Sequence, residues 1–231
     1  MPNGEPRDPY YAAPRPEMRP FIPPSYRNVL EIGCGSGNFS YALRGEAAQV
    51  WGVEPNPQAG REAQDKLHRV LIGTFDEVEG LLPDHHFDLV ICNDVIEHMP
   101  DHDRFLEHIK HKLAPGGCLV GSIPNILHVS TLAKILVRRD WRYEDHGILD
   151  RTHLRFFTSK SLRRDLERHG FSLVQFDGIN SIIAEGTAAK HRRPIRDLSV
   201  RVATAGLIVA TLGYYYDSQY PQFGFRARVL Q

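Results

Sequence analysis

The sequence predicts an α/β fold: a seven-stranded, mostly parallel sheet with an antiparallel last strand and helices on both faces. Three observations predict it. From Arg27 onward, apolar and β-branched runs alternate with segments of helical spacing. The first run, Val29-Leu30-Glu31-Ile32, ends in Gly33, Gly35 and Gly37, each one residue apart, as a buried strand entering a tight turn does. The last run, Phe223–Val229, alternates in part and suits an antiparallel strand.

Taken in order, residues 1–24 carry eight prolines and exclude much helix or central strand. Such a segment is either a solvated tail or a packed strap; Tyr10, Tyr11, Arg15, Met18 and Phe21 are too sticky for a pure linker. Strands are predicted over 27–33, 49–54, 69–72, 87–92, 118–123, 171–176 and 223–229. Helices are predicted near 37–44, 57–67, 127–137 and 195–216, with two more around Phe105–Leu113 and Leu162–Leu166. Asn56 is a natural N-cap before Pro57, and Thr158 or Ser159 caps the later helix. The continuously apolar run after Asp88 reads as a central parallel strand. Residues 126–157 break the alternation and read as an excursion over the substrate face, so the sequence divides into the segment 1–24 and a single domain over 25–231. In 195–216, apolar residues at 195, 198, 202, 205, 209 and 212 form a helical stripe. That stripe is expected to pack in the core or against a second copy, as a homodimer; peripheral membrane contact is the other reading.

Composition sets bounds. The chain has 231 residues, 42% hydrophobic and 24% charged, ordinary for a globular domain. Its formal net charge is zero, which gives no global attraction to nucleic acid. Three cysteines without metal spacing argue against a disulfide framework, and Cys34, Cys92 and Cys118 are expected to be buried thiols. With no signal peptide and no span of about 20 apolar residues, the expected location is the cytoplasm.

The glycine turn carries the chemistry. A dinucleotide fingerprint would place its third glycine where Asn38 stands, and this disfavours a nicotinamide oxidoreductase. The spacing is instead G-x-G-x-G after Glu31, and the second run ends in Glu54, an acid placed for a ribose diol. This pattern resembles the class I S-adenosylmethionine-dependent methyltransferases, whose first motif Glu31–Gly37 follows closely. The resemblance spans about residues 27 to 179 and implies a Rossmann-like fold, with S-adenosyl-L-methionine as cofactor. It implies that Glu31, Gly33, Gly35 and Gly37 hold the methionine part, that Glu54 with Pro55 takes the ribose, and that Thr74 and Phe75 flank the adenine. Asn93, Asp94 and Val95 would line the cofactor beneath the reacting centre. Thr74 departs from the acid usual at its position, which shifts recognition of the adenine amine to Asp76 or to backbone. In relatives the N-terminal segment lids the cofactor, and Arg15 would meet the methionine carboxylate.

Asp94-Val95-Ile96-Glu97-His98 raises a second possibility for chemistry. It resembles the metal site of small-RNA 2′-O-methyltransferases and ubiquinone-pathway O-methyltransferases; Asp94, Glu97, His98 and His153 would then hold Mg²⁺ against a vicinal diol. The metal-free reading makes His153, or else His98, the general base. The run Gly147–Thr158, rich in Asp, Arg, His and aromatics, resembles that of methyltransferases from polysaccharide and sugar-nucleotide pathways. The expected reaction is therefore methylation of a hydroxyl on a sugar, sugar nucleotide or glycan. The alternatives are a small-molecule methyltransferase of quinone or natural-product type, and a non-catalytic cofactor-binding protein.

Overall fold

The computed structural model describes residues 14–183 and 194–230. Tyr10, Tyr11, Arg192 and Arg193 lie outside the described residues, as does the side chain of Ile195.

The chain runs β1 (Asn28–Ile32), α1 (Asn38–Tyr41), β2 (Gln49–Glu54), α2 (Pro57–Gln64), β3 (Arg69–Ile72), α3 (Phe75–Val78), β4 (Phe87–Asn93), α4 (His102–Lys112), β5 (Leu113–Pro124), α5 (Val129–Leu132), α6 (Ser159–Arg168), β6 (Phe171–Ile179), α7 (Pro194–Ala210) and β7 (Gln222–Val229). These seven strands form one sheet in the order β3-β2-β1-β4-β5-β7-β6. β1 to β5 pair in parallel, and β7 is antiparallel to both β5 and β6, as the sequence predicts.

Local chemistry sets the boundaries. Asn56 caps α2 through its side-chain oxygen, which accepts from Gln58 N at 2.9 Å and Ala59 N at 3.1 Å. Thr158 caps α6 and accepts from Ser161 N at 3.1 Å. The expected helix at 37–44 is only Asn38–Tyr41, because the chain tightens into turns after it. Gly37, at φ +77°, starts α1 where a Cβ would press on Ala63 and Leu67 of the α2 layer. Pro115-Gly116-Gly117, expected to lie before the strand, is drawn into β5 as an irregularity between the pairs Phe87↔Leu113 and Leu89↔Cys118. The helix expected at 127–137 is split into α5 and a π-helical turn over Ala133–Val137.

The central strands are buried on both faces, as parallel strands must be. Leu30, Val90, Cys92, Leu119, Phe105, Ile109 and Phe225 belong to one core cluster. Val29, Leu89, Ile91, Val120, Phe39 and Leu43 belong to the other, with Met18 and Phe21 of the N-terminal strap. Each such side chain contributes about 1.5–3 kcal/mol on burial. All three cysteines are free and buried.

α7 differs from expectation. Leu198, Val202 and Val209 are 61%, 63% and 75% exposed, so the predicted stripe does not enter this chain's core. The packed face lies one notch round: Thr204 is fully buried, and Arg201, Ile208 and Thr211 are partly buried. Periodicity identifies which residues share a face, but here the packed face carries Arg201, Thr204 and Thr211, and spacing alone does not say which face turns inward. Among the described residues, no helix is long and apolar enough to cross a membrane.

Candidate active site

In a parallel sheet the strand order reverses at a switch point, and the crevice lies beyond the carboxyl ends of the strands there. Here the reversal falls between β1 and β4. A cavity of about 1010 Å³ opens at that place. Its wall includes Glu31, Gly33, Gly35, Glu54, Pro55, Thr74, Phe75, Asn93, Asp94, Val95, His98 and Arg15, twelve of the residues singled out from sequence. Gly37, Glu97 and His153 are not on the wall.

The glycine turn is held from below. Gly33 N and Cys34 N both donate to Val53 O, at 2.8 and 3.1 Å. Gly33 sits at φ +68°, and a Cβ there would lie 2.8 Å from Val95 Cγ2, so only glycine lets the two loops meet. Glu54, at the end of β2, is buried yet bonded: its carboxylate accepts from Gly35 N at 2.7 Å and from Asn56 N at 2.8 Å. Burial raises its pKa, and those two backbone donors oppose the rise. Glu31 is buried with one oxygen unpartnered, and burial pushes its carboxyl up to about 8 against the pull of Ser40 and Arg15. Asn93 is also left with both side-chain polar atoms buried and unpartnered. Thr74 is spent on its own helix: its hydroxyl donates to Glu77 Oε2 at 2.9 Å in the capping box of α3. Asp76 then remains on the wall as the exposed acid beside it.

Asp94 follows β4 in the left-handed region, at φ +53°. Three side chains converge on its carboxylate: Arg15 Nη1 donates at 2.6 Å, Ser122 Oγ at 2.8 Å and Gln222 Nε2 at 2.8 Å. Arg15 also donates to Ser122 Oγ at 2.9 Å and to Glu17. Proline-rich though it is, the segment that bears Arg15 therefore packs: Met18 and Phe21 are buried and a single helical turn forms over Pro16–Phe21. Ser122 and Gln222 were not foreseen. Ser122 lies near the carboxyl end of β5, where the crevice rule points, whereas Gln222 reaches the site only through its antiparallel pairing with Pro124.

The remaining wall is built by the excursion. His98 lies on the cavity, and His153 stands behind it with ring centroids 4.7 Å apart. Of the two histidines named from sequence, it is therefore His98 that the fold places on the cavity wall. Asp94 does not join them, because its carboxylate is engaged by Arg15; Glu97, His98 and His153 alone bring ligand-type atoms within 4.8 Å of one another. Glu97 is buried with neither oxygen hydrogen-bonded and His153 Nε2 4.0 Å from Oε1, and burial, with the charge of Asp94, holds its carboxyl well above the usual range. Burial and the neighbouring His153 lower the pKa of His98, so its neutral form prevails near pH 7. His98 Nδ1 lies 3.2 Å from Thr152 O and 3.1 Å from Thr152 Oγ1. That hydroxyl in turn donates to Asp150 Oδ1 at 2.6 Å.

The run Gly147–Thr158, read from sequence as contacts to a sugar, is largely spent within the protein. Leu154 N donates to Glu97 O at 2.9 Å, and the Arg155 guanidinium donates to the carbonyls of Met99 and Pro100. His153 Nδ1 meets Ile148 O at 3.0 Å, Phe156 packs on Trp141, and Phe157 enters the core. Asp150, Arg151 and Thr152, with Asp145 and His146, are what the excursion leaves on the cavity.

Comparison with known proteins agrees with the fold. The chain is similar to the "Ubiquinone biosynthesis O-methyltransferase" of Nitrobacter winogradskyi, 26% identical over 166 residues, covering 65% of this chain and 59% of that protein. It is also similar to the "Trans-aconitate 2-methyltransferase" of Methylobacterium nodulans, 35% identical over 101 residues, covering 43% of this chain and 39% of that protein. The chain thus spans less than two thirds of the length of these curated relatives. Among solved structures, a SAM dependent methyltransferase from Archaeoglobus fulgidus superposes with a TM-score of 0.62 at 21% identity, covering 90% of this chain and 88% of that one. The sequence profile of the family described as "Methyltransferase domain" matches residues 5–176, more than half of the chain, and the chain belongs to that family.

Proposed function

We propose that the chain transfers a methyl group from S-adenosylmethionine to a hydroxyl of a small organic acceptor. The observation that carries this reading is one cavity with two unlike halves. One half is the glycine turn with Glu54, Asn93, Asp94 and Arg15; the other presents neutral His98 beside Met99, Pro100, Asp150 and Thr152. The residues of the first half fit the cofactor: Asn93 has unused buried donors and acceptors, Glu54 retains acceptor capacity for a diol, and Arg15, paired with Asp94 and Glu17, stands on the same wall. When bound, the cofactor supplies an electrophilic methyl group. The protein contributes alignment of the acceptor oxygen and removal of its proton, and His98 is the residue placed to take it.

The sugar acceptor expected from sequence loses its main support, since most of the polar residues of Gly147–Thr158 bind the protein itself. The relatives named for ubiquinone and trans-aconitate favour the small-molecule alternative, and a wall histidine favours a hydroxyl over a carboxylate, which has no proton to lose at pH 7. A divalent ion at Glu97, His98 and His153 is a second reading, favoured by the carboxylate of Glu97, which is buried without a hydrogen bond. The test is methyl transfer from labelled cofactor to catechols, hydroxylated acids and sugar nucleotides, with and without chelator. Transfer to a catechol or hydroxylated acid that survives chelation is the expected result. Transfer confined to sugar nucleotides would restore the first expectation, and loss of activity with chelator, regained with Mg²⁺, would install the metal.

A further inference from the structure

We propose that Asp150 and Thr152 are positioning residues that fix the tautomer of His98, placing its ring proton on Nδ1 and leaving Nε2 bare. This rests on the reading of His98 as the proton acceptor in the reaction. The argument is one of donors and acceptors. Thr152 O is a carbonyl and only accepts, so the 3.2 Å contact with His98 Nδ1 requires a proton on that nitrogen. Thr152 Oγ1 has its own proton committed to Asp150 Oδ1 at 2.6 Å, so towards Nδ1 at 3.1 Å it too can only accept. Two acceptors facing one nitrogen leave a neutral imidazole a single arrangement. Nε2 then carries the lone pair.

Asp150 is itself held for the task. Its Oδ1 also accepts from Thr152 N at 2.8 Å, its backbone N donates to Gly147 O, and it forms a bridge with Glu144. The fully buried Leu149 precedes it. Thr152 is thus gripped through both its hydroxyl and its backbone before it meets the histidine. When Nε2 takes a proton from the acceptor, the positive ring faces a hydroxyl polarised by a carboxylate, which lowers the energy of the charged state. The arrangement orients the base without Asp150 touching it.

Long-range proton–nitrogen NMR on chain labelled with ¹⁵N-histidine tests this, with His98→Asn to assign the resonances. The parent is expected to show His98 protonated on Nδ1 at mildly basic pH. Thr152→Val keeps the carbonyl that holds the Nδ1 proton and removes only the polarised hydroxyl, so the tautomer should persist while kcat falls by about 10- to 100-fold, with Thr152→Ser restoring kcat. Calorimetry with S-adenosylhomocysteine should give unchanged affinity in each variant. A parent protonated on Nε2, or a folded Thr152→Val with parental kcat, would overturn the proposal. If Thr152→Val does not fold, the parent's tautomer decides alone. Full turnover by His98→Ala would instead remove the catalytic reading of His98, while the tautomer measurement stands independently.

Discussion

Burying Glu31 makes stability depend on pH in the direction opposite to a salt-bridged acid. Its carboxyl sits near 8 in the folded chain against an ordinary 4.5, so between those values the folded state holds a proton that the unfolded state has lost. Its favourable contribution is complete below the lower value and fades as pH rises through the window, by at most about 1.4 kcal/mol per pH unit. Glu97 acts with the same sign. Urea unfolding at both ends of the window should show Glu31→Gln with the flatter dependence. Glu54 is a different case, since both of its oxygens already hold backbone N–H groups. Glu54→Ala should weaken S-adenosylhomocysteine binding at least about tenfold, both by losing charge-assisted bonds and by loosening the turn at Gly35. Calorimetry on a variant with a parental melting curve checks this. Of the two histidines, His98→Ala should slow turnover by about 10²–10⁴ and leave cofactor affinity alone, while His153→Ala, one layer behind, should cost less. The equal and larger losses expected of a shared metal would erase that ranking.

At the scale of elements, what was legible is what repeats. Strand-ending glycines, the Asn56 cap and the apolar runs of β1, β2 and β4 each carry a local signal, and each forms where its residues demand. Gly147–Thr158 was legible as important but not in its meaning, because a list of Asp, Thr, His and Arg does not say whether its hydrogen bonds run outward or inward. Arg155 illustrates the difference: its guanidinium is spent on backbone carbonyls of the β4 loop, a partner that no spacing rule names. α7 shows the same gap. Leu198→Asp and Val209→Asp replace exposed side chains, so each should change stability by less than about 0.5 kcal/mol. Thermal melts check that, and light scattering on the same samples shows whether the stripe carries an association.

For the whole molecule, the cavity depends on packing far from it. Phe21 lies on β7, where a Cβ at Gly224 would come within 2.5 Å of its ring. Gly224→Ala should therefore dislodge the strap that carries Arg15 and destabilise the fold by about 1–3 kcal/mol. Denaturant unfolding measures the loss, and faster release of S-adenosylhomocysteine should accompany it. The sequence showed the parallel half of the site, whose residues sit at strand ends in register with their neighbours. It did not show Gln222 or the seat of Arg15, which are set by tertiary pairing between distant parts of the chain.

That pairing has a consequence for the order in which the site is made. Asp94 is reached from one side by Arg15 and from the other by Gln222, at the first residue of β7. A chain emerging from the ribosome completes the glycine turn and Glu54 early, yet neither the strap's seat on Gly224 nor the third partner of Asp94 exists until β7 has slipped between β5 and β6. Nascent chains halted before residue 222 hold nearly all the residues that line the cavity but lack Gln222 and the seat of the strap on β7. The seat of Arg15 is thus completed only when β7 joins the sheet.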